Sequence, residues 1–193
     1  AMGESLIAQI RDAGAFLVPN LGLGELRRER VADDPFLRET TQPDVSARLG
    51  ESYDARQPSS ANAGELAASA AERERALSKA FSRLVAAGVD IVLGTDAGAL
   101  PGHFFGYTGH RELEIFVRLG MSPMQAIVAG TSRPAERLGL SEMGTLAAGK
   151  TADFVILDES PLEDIRNTRT ISQVYLRGRV VDREALRIRW TGG

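Results

Sequence analysis

One aspartate at the end of an apolar run and two histidines are the sharpest candidates for acid–base or metal chemistry, and they lie close together in the chain. Asp96 stands in Leu93-Gly94-Thr95-Asp96-Ala97-Gly98, where a short apolar run gives way to a glycine-containing loop. His103 and His110 are the only two histidines, and they follow Asp96 at successive intervals of seven residues. A carboxylate can take a proton from attacking water and hand it to a leaving group. Carboxylate with imidazole is also ligand chemistry for zinc. Three such groups across one loop could converge on an ion, although this spacing matches no compact zinc pattern. An aspartate before Ala-Gly is equally a common turn former or helix cap. Cysteine is absent, which removes disulfides, thiolate ligands and a cysteine nucleophile.

What precedes Asp96 decides how to read it. Val89-Asp90-Ile91-Val92-Leu93 is a nearly continuous apolar run, the pattern of a strand buried on both faces in a parallel sheet. A carboxylate at the C-terminal end of such a strand lies on the edge where parallel α/β folds build their sites. The run follows an expected amphipathic helix over 63–87. Leu66, Ala70, Leu77, Phe81 and Leu84 share one face, Asn62 and Glu65 form a capping box, and Gly88 supplies the stop. Earlier, Leu6, Ile7 and Ile10 at helical spacing lead to Gly14 and then to the apolar run Ala15–Leu21. Helix then strand, twice, predicts two neighbouring parallel strands.

Between the two units, residues 22–62 are broken by Pro35, Pro43 and Pro58. A connection this long is either functional or disordered, and it reads as an excursion over one end of the fold. Its Arg27–Arg30 cluster, interleaved with Glu29, reads as loop surface, or as a contact for an acidic substrate group. After Asp96 come a polar loop to Gly109, a helix over 111–119 and a second helix opened by Ser122-Pro123-Met124-Gln125. A third, short helix starts near Thr131 and closes at Gly139. Glu112 and Glu114 read as the solvated face of the first of these helices. Beyond Gly144 the pattern turns to strands over 152–158 and 171–176, then a hairpin turn at Arg177-Gly178-Arg179 and a strand over 180–182. Trp190 is expected to pack the tail. The expected division is an α/β part, 1–143, and a small β unit, 144–193.

Composition narrows the function classes. The chain has 193 residues, 23 basic against 26 acidic side chains, and a net charge of −3. No basic block stands out to neutralise phosphates, which argues against nucleic acid as a partner. No apolar run approaches the roughly 18 residues of a membrane span. Glu4 and the Arg11–Asp12 pair interrupt the first apolar stretch, so the start does not read as a signal peptide. The cytoplasm is the favoured compartment, any signal peptide belonging upstream.

Three ordered stretches resemble the C-terminal part of the amidohydrolase superfamily, in its imidazolonepropionase- and prolidase-like branch. The first is Leu93-Gly94-Thr95-Asp96. The second runs from His110-Arg111-Glu112-Leu113 through Gly120-Met121-Ser122-Pro123 to Ala129-Gly130-Thr131-Ser132-Arg133-Pro134. The third runs from Gly144-Thr145-Leu146-Ala147-Ala148-Gly149-Lys150-Thr151-Ala152-Asp153 to Leu157-Asp158, with Pro161-Leu162 and Val174-Tyr175-Leu176-Arg177-Gly178 after it. Residues 14–20 resemble the penultimate barrel strand more loosely.

The resemblance implies an α/β fold, namely the C-terminal part of a (β/α)8 TIM barrel followed by a small β-sandwich unit. It implies a hydrolase acting on carbon–nitrogen bonds of a small amide, cyclic amide or dipeptide, with a divalent metal, zinc foremost, in a mono- or binuclear site. Asp96 falls on the family's aspartate at the end of the last barrel strand, a metal ligand and proton shuttle. His103 falls in the loop, as a loop histidine or a substrate contact. His110 starts the last barrel helix, facing the pocket or lying in the helix's first turn. Lys150 and Asp153 fall on a structural signature that shapes the turn into the β unit.

The departure matters as much. A catalytic zinc needs about three protein ligands, and the family's His-x-His pair is absent from this sequence. A barrel takes about 250 residues. The chain therefore reads as the C-terminal portion of a longer amidohydrolase, inactive in isolation. The alternative is a non-catalytic α/β module that acts through homo-oligomerisation at exposed strand edges, or as one half of a split enzyme.

Overall fold

The structure, a computed structural model, describes residues 3–57 and 63–191. The first helix, α1 (Glu4–Asp12), buries Ile7 and turns through Gly14 into the short strand β1 (Phe16–Leu17). The long helix α5 (Ala63–Ala86) leads through Gly88 into β2 (Asp90–Ile91). The two strands pair in parallel, Phe16 opposite Asp90 and Leu17 opposite Ile91, and the Val92 amide donates to the Leu17 carbonyl at 2.9 Å. Leu93 then donates to the Ala129 carbonyl instead (2.8 Å), so the ladder ends as the chain reaches Gly94.

Burial on both faces holds for the second strand only. Ile91 and Val92 are buried, whereas Phe16 is 41% and Val18 44% exposed. The difference is one of neighbours. β2 packs into a core of Ile7, Phe81, Leu84, Ile115, Phe116 and Leu119, whereas of β1 only Leu17 packs against that core. Each fully enclosed side chain of that core contributes on the order of 1.5–3 kcal/mol. On α5 the expected apolar stripe is used in its second half: Phe81 and Leu84 are buried and Leu77 packs against them, while Ala70 is exposed. The expected capping box at Asn62 lies outside the described residues.

The described part of the excursion, 22–57, is built of short helices. It carries α2 (Gly22–Glu25), α3 (Pro35–Arg38), α4 (Pro43–Asp54) and 3-10 turns at Leu26–Arg28 and Val31–Asp33. Leu26, Val31 and Leu37 form a second apolar cluster with Tyr107, which is why the segment holds its shape. Asp34 caps α3 by accepting from the Phe36 amide at 3.0 Å, with Pro35 at the first helical position.

After β2 come α6 (Tyr107–Arg118), α7 (Pro123–Gly130) and α8 (Ser132–Arg137). Ser122 and Gln125 make the capping box read from the sequence. Asp90, at the start of β2, pairs with Arg133 (3.1 Å) and Arg137 and so ties α8 beneath the strand. Gly144 crosses this junction with φ +84°, where a Cβ would stand 2.9 Å from the Ser132 Cα and 3.0 Å from the Thr131 carbonyl oxygen. Only glycine fits there.

The remaining strands are β3 (Phe154–Leu157), β4 (Ile171–Leu176) and β5 (Arg179–Val180), one antiparallel sheet in that order. The hairpin turn at Arg177-Gly178 has both residues at positive φ, the geometry that matches strand twist. Asp153 holds it by accepting from the Arg177 amide at 2.6 Å. A sandwich needs a second sheet, and the described residues supply this one. A helix not read from the sequence, α9 (Arg183–Thr191), follows it. Trp190 is 54% exposed there and does not pack as expected, because the open side of this helix carries it. Among the described residues no helix is long and apolar enough to cross a membrane.

Candidate active site

The C-terminal ends of β1 and β2 form one edge. Each run ends in a non-glycine residue at positive φ, Asn20 (φ 46°) and Asp96 (φ 51°). Asparagine and aspartate are the residue types that tolerate this conformation best. Gly94 lets the two ends meet, since a Cβ there would lie 2.3 Å from Val18 Cγ1 and 2.7 Å from Asn20 Oδ1. Asn20 Oδ1 is buried and finds no hydrogen-bond donor among the described residues. Beyond it, Thr95 Oγ1 accepts from the Ala97 amide (3.2 Å), and the Asp96 carbonyl accepts from Ala99 (3.2 Å). The turn is thus held by backbone and threonine contacts. The Asp96 side chain is exposed.

The two histidines go elsewhere. His103 is 3% exposed, its imidazole enclosed beneath the loop, with its backbone bonded to Gly98 and Leu100. His110 is engaged by distant residues: its Nδ1 lies 3.0 Å from Thr168 Oγ1, and Phe36 meets its ring edge-on at 5.0 Å. Burial, with the Arg169 guanidinium beside it, pushes its pKa down to about 4, so the ring is neutral at pH 7. Asp96, His103 and His110 are not brought together as a ligand set. Among the described residues no group of three or more His, Cys, Asp or Glu could hold a metal. The Asp96 carboxylate suits one coordination position, whereas a catalytic zinc takes about three protein ligands. The described residues therefore do not fit a complete metal centre by themselves.

The solvated-face reading of Glu112 and Glu114 is overturned. Glu112 is 1% exposed, and its two carboxylate oxygens accept from the Leu21 and Gly22 amides, each at 2.7 Å. The chain leaving β1 thus turns around this side chain. Burial pushes the Glu112 pKa up to about 7, against the pull of the two amide donors. A signal for it does exist in the sequence: Glu112 lies three and four positions before Ile115 and Phe116, on the stripe that α6 buries.

Glu114 belongs to an ion-pair network. Arg169 reaches Asp34 (2.8 Å) and Glu114 (2.5 Å), Arg111 bonds Glu114 (2.6 Å) and Glu29, and the Tyr107 hydroxyl donates to Asp34 at 2.9 Å. Burial opposes ionisation of Asp34, but Tyr107 and Arg169 outweigh it and hold its pKa below the ordinary value. The network locks the excursion and the 3-10 turn Ile165–Arg169 onto α6, the helix that leaves the Asp96 loop. Arg30, in the cluster read as loop surface, is committed to Asp33 (2.7 Å) and Asp54 (2.9 Å).

Comparison with known proteins gives the family. The model of the amidohydrolase family matches residues 44–181. The chain is 44% identical over 75 residues to an adenine deaminase of Clostridium perfringens, covering 38% of this chain and 12% of that protein. It is 38% identical over 93 residues to an imidazolonepropionase of Deinococcus deserti, covering 48% of this chain and 23% of that one. The solved structure of a Xaa-Pro dipeptidase with bound methionine superposes with a TM-score of 0.62 at 24% identity, over 93% of this chain and 37% of that chain. The chain thus spans between about an eighth and three-eighths of the proteins it matches. A parallel pair ending in Asp96, ordered motifs on α6 to α8 and a family match over most of the chain lead to one conclusion: the chain belongs to the amidohydrolase family.

Proposed function

We propose that the chain is the C-terminal portion of a metal-dependent amidohydrolase that cleaves the C–N bond of an amide, cyclic amide or dipeptide, with Asp96 as its proton-carrying carboxylate. In this reading residues 1–143 are the last part of a (β/α)8 barrel and 144–193 belong to a β-sandwich unit. The observation that carries it is the exposed Asp96 side chain at the C-terminal edge of the parallel pair, on a turn that needs nothing from it. Water attacks the scissile carbonyl carbon, and Asp96 accepts the proton the water gives up. When the C–N bond breaks, Asp96 returns that proton to the leaving nitrogen, so the carboxylate ends as it began. A divalent ion, zinc foremost, would acidify the water and polarise the carbonyl. Asp96 offers one ligand toward it, and the others come from outside the described residues.

The test is Asp96→Asn in the zinc-loaded protein that carries this chain. Asparagine tolerates the left-handed backbone, so folding should be unaffected. Hydrolysis should fall by about a hundredfold or more. Activity that survives the change refutes the role of Asp96.

The open edge of β1, with Phe16 and Val18 exposed, favours a second reading in which the chain pairs with another chain. A wild-type protein that forms a stable dimer yet hydrolyses no amide, lactam or dipeptide would favour that reading over the first.

A further inference from the structure

The loop from β2 to α6 presents an aromatic ring that the fold itself does not use. Three backbone hydrogen bonds fold this loop back on itself: Ala99 to the Asp96 carbonyl (3.2 Å), His103 to the Leu100 carbonyl (3.1 Å) and Gly98 to the His103 carbonyl (2.8 Å). The side chains around residue 105 point inward. His103 is 3% and Tyr107 4% exposed, and Phe104 packs against the Leu26, Val31 and Leu37 cluster. Phe105 is 83% exposed. Its ring lies over the loop, with the ring edge 3.1–3.2 Å from where a Cβ on Gly98 would stand. Gly98 is two residues past Asp96 and sits at φ +86°. Glycine there leaves the ring room to lie against the backbone two residues past Asp96.

Single exposed apolar residues are ordinary on protein surfaces. Position and setting separate this one from them. Residues 97–106 contain no Lys or Arg, so the loop offers no cation to an acidic substrate group. Leu100 and Pro101 add further apolar surface. We propose that Phe105 is a specificity-determining residue whose ring forms an apolar wall beside Asp96 and receives an uncharged hydrocarbon or aromatic side group of the amide substrate. This rests on the hydrolase reading above and names the substrate class for it.

The experiment uses the zinc-loaded protein that carries this chain and a series of dipeptides with glycyl, alanyl, leucyl and phenylalanyl side groups. The wild type should show kcat/KM rising along the series. Phe105→Ala should lose about tenfold to a hundredfold on the phenylalanyl member, chiefly in KM, with about twofold or less on the glycyl member. Phe105→Leu should keep most of the preference. As a readout without turnover, calorimetry on the metal-free protein should show N-benzylacetamide binding about tenfold more weakly to Phe105→Ala than to the wild type. Equal losses along the series, or unchanged selectivity and binding, overturn the proposal. A fall in melting temperature with selectivity intact also overturns it, because the ring would then be packing another part of the protein. If the wild type hydrolyses nothing yet the benzyl amide binds in a Phe105-dependent way, the hydrolase reading fails and the apolar subsite stands.

Discussion

Glu112 and His110 lie two residues apart on α6, and burial drives their pKa values in opposite directions. The folded Glu112 carboxyl titrates near 7 against an ordinary 4.5. Between those values the folded chain holds a proton that the unfolded chain has released, so stability falls as pH rises through the window. A gap of about 2.5 pH units at about 1.4 kcal/mol each amounts to roughly 3–4 kcal/mol, complete above about pH 7. His110 titrates near 4 against an ordinary 6.5. There the unfolded chain holds the extra proton, so stability rises with pH between 4 and 6.5, by up to about 3–4 kcal/mol, and is lost as pH falls toward 4. The two slopes oppose each other, and their sum is nearly flat from about pH 4.5 to 6.5.

Glu112→Gln removes one slope and leaves the other. Glutamine keeps the shape and one acceptor, but its NH2 group faces one of the two amides of Leu21 and Gly22, a cost of about 1–3 kcal/mol that does not vary with pH. The measurement is urea unfolding at half-unit steps from pH 4.5 to 8 at constant ionic strength, read as slope rather than intercept. The Gln variant should gain stability with rising pH up to about 6.5 relative to the wild type, and His110→Phe should lose it up to about 7. Glu25 and Arg169 are the charged neighbours of the two groups, and neither substitution changes them. Parallel curves for wild type and Glu112→Gln would refute the buried carboxyl.

Arg169→Ala should destabilise the chain by about 1.5–3 kcal/mol in the same assay, because Asp34 and Glu114 lose the cation they share and keep only Tyr107, the Phe36 amide and Arg111. Arg169→Lys should recover only part, since lysine cannot serve both acids or stack on Phe36 and Tyr107 as the guanidinium does. Gly144→Ala should lower the melting temperature sharply, because its Cβ meets backbone at Ser132 and Thr131; a variant as stable as wild type would show that the junction can open. Ser122→Ala removes one half of a capping box and should cost about 1 kcal/mol, read from urea unfolding.

The elements that position the site were largely legible in the chain. Apolar spacing with Gly14 and Gly88 marked two helix–strand units, Ser122-Pro123-Met124-Gln125 marked α7, and Arg177-Gly178 marked the hairpin. These signals are local: a cap, a turn or a stripe is decided by residues within a few positions of one another, and the chain carries that information directly. Asp96 at a strand's C-terminal end was legible for the same reason.

What the sequence could not determine depends on which distant surfaces meet. Whether Phe16 and Val18 are covered depends on a neighbour across the sheet. Whether Glu112 faces water or caps the Leu21–Gly22 turn depends on a contact spanning some ninety positions. The side of α6 that His110 takes is set by Phe36 and Thr168, each far along the chain. A glutamate in a helix looks solvated because ionised groups prefer water. Only the tertiary structure supplied the two amide donors of Leu21 and Gly22, and with them the reason for burying it.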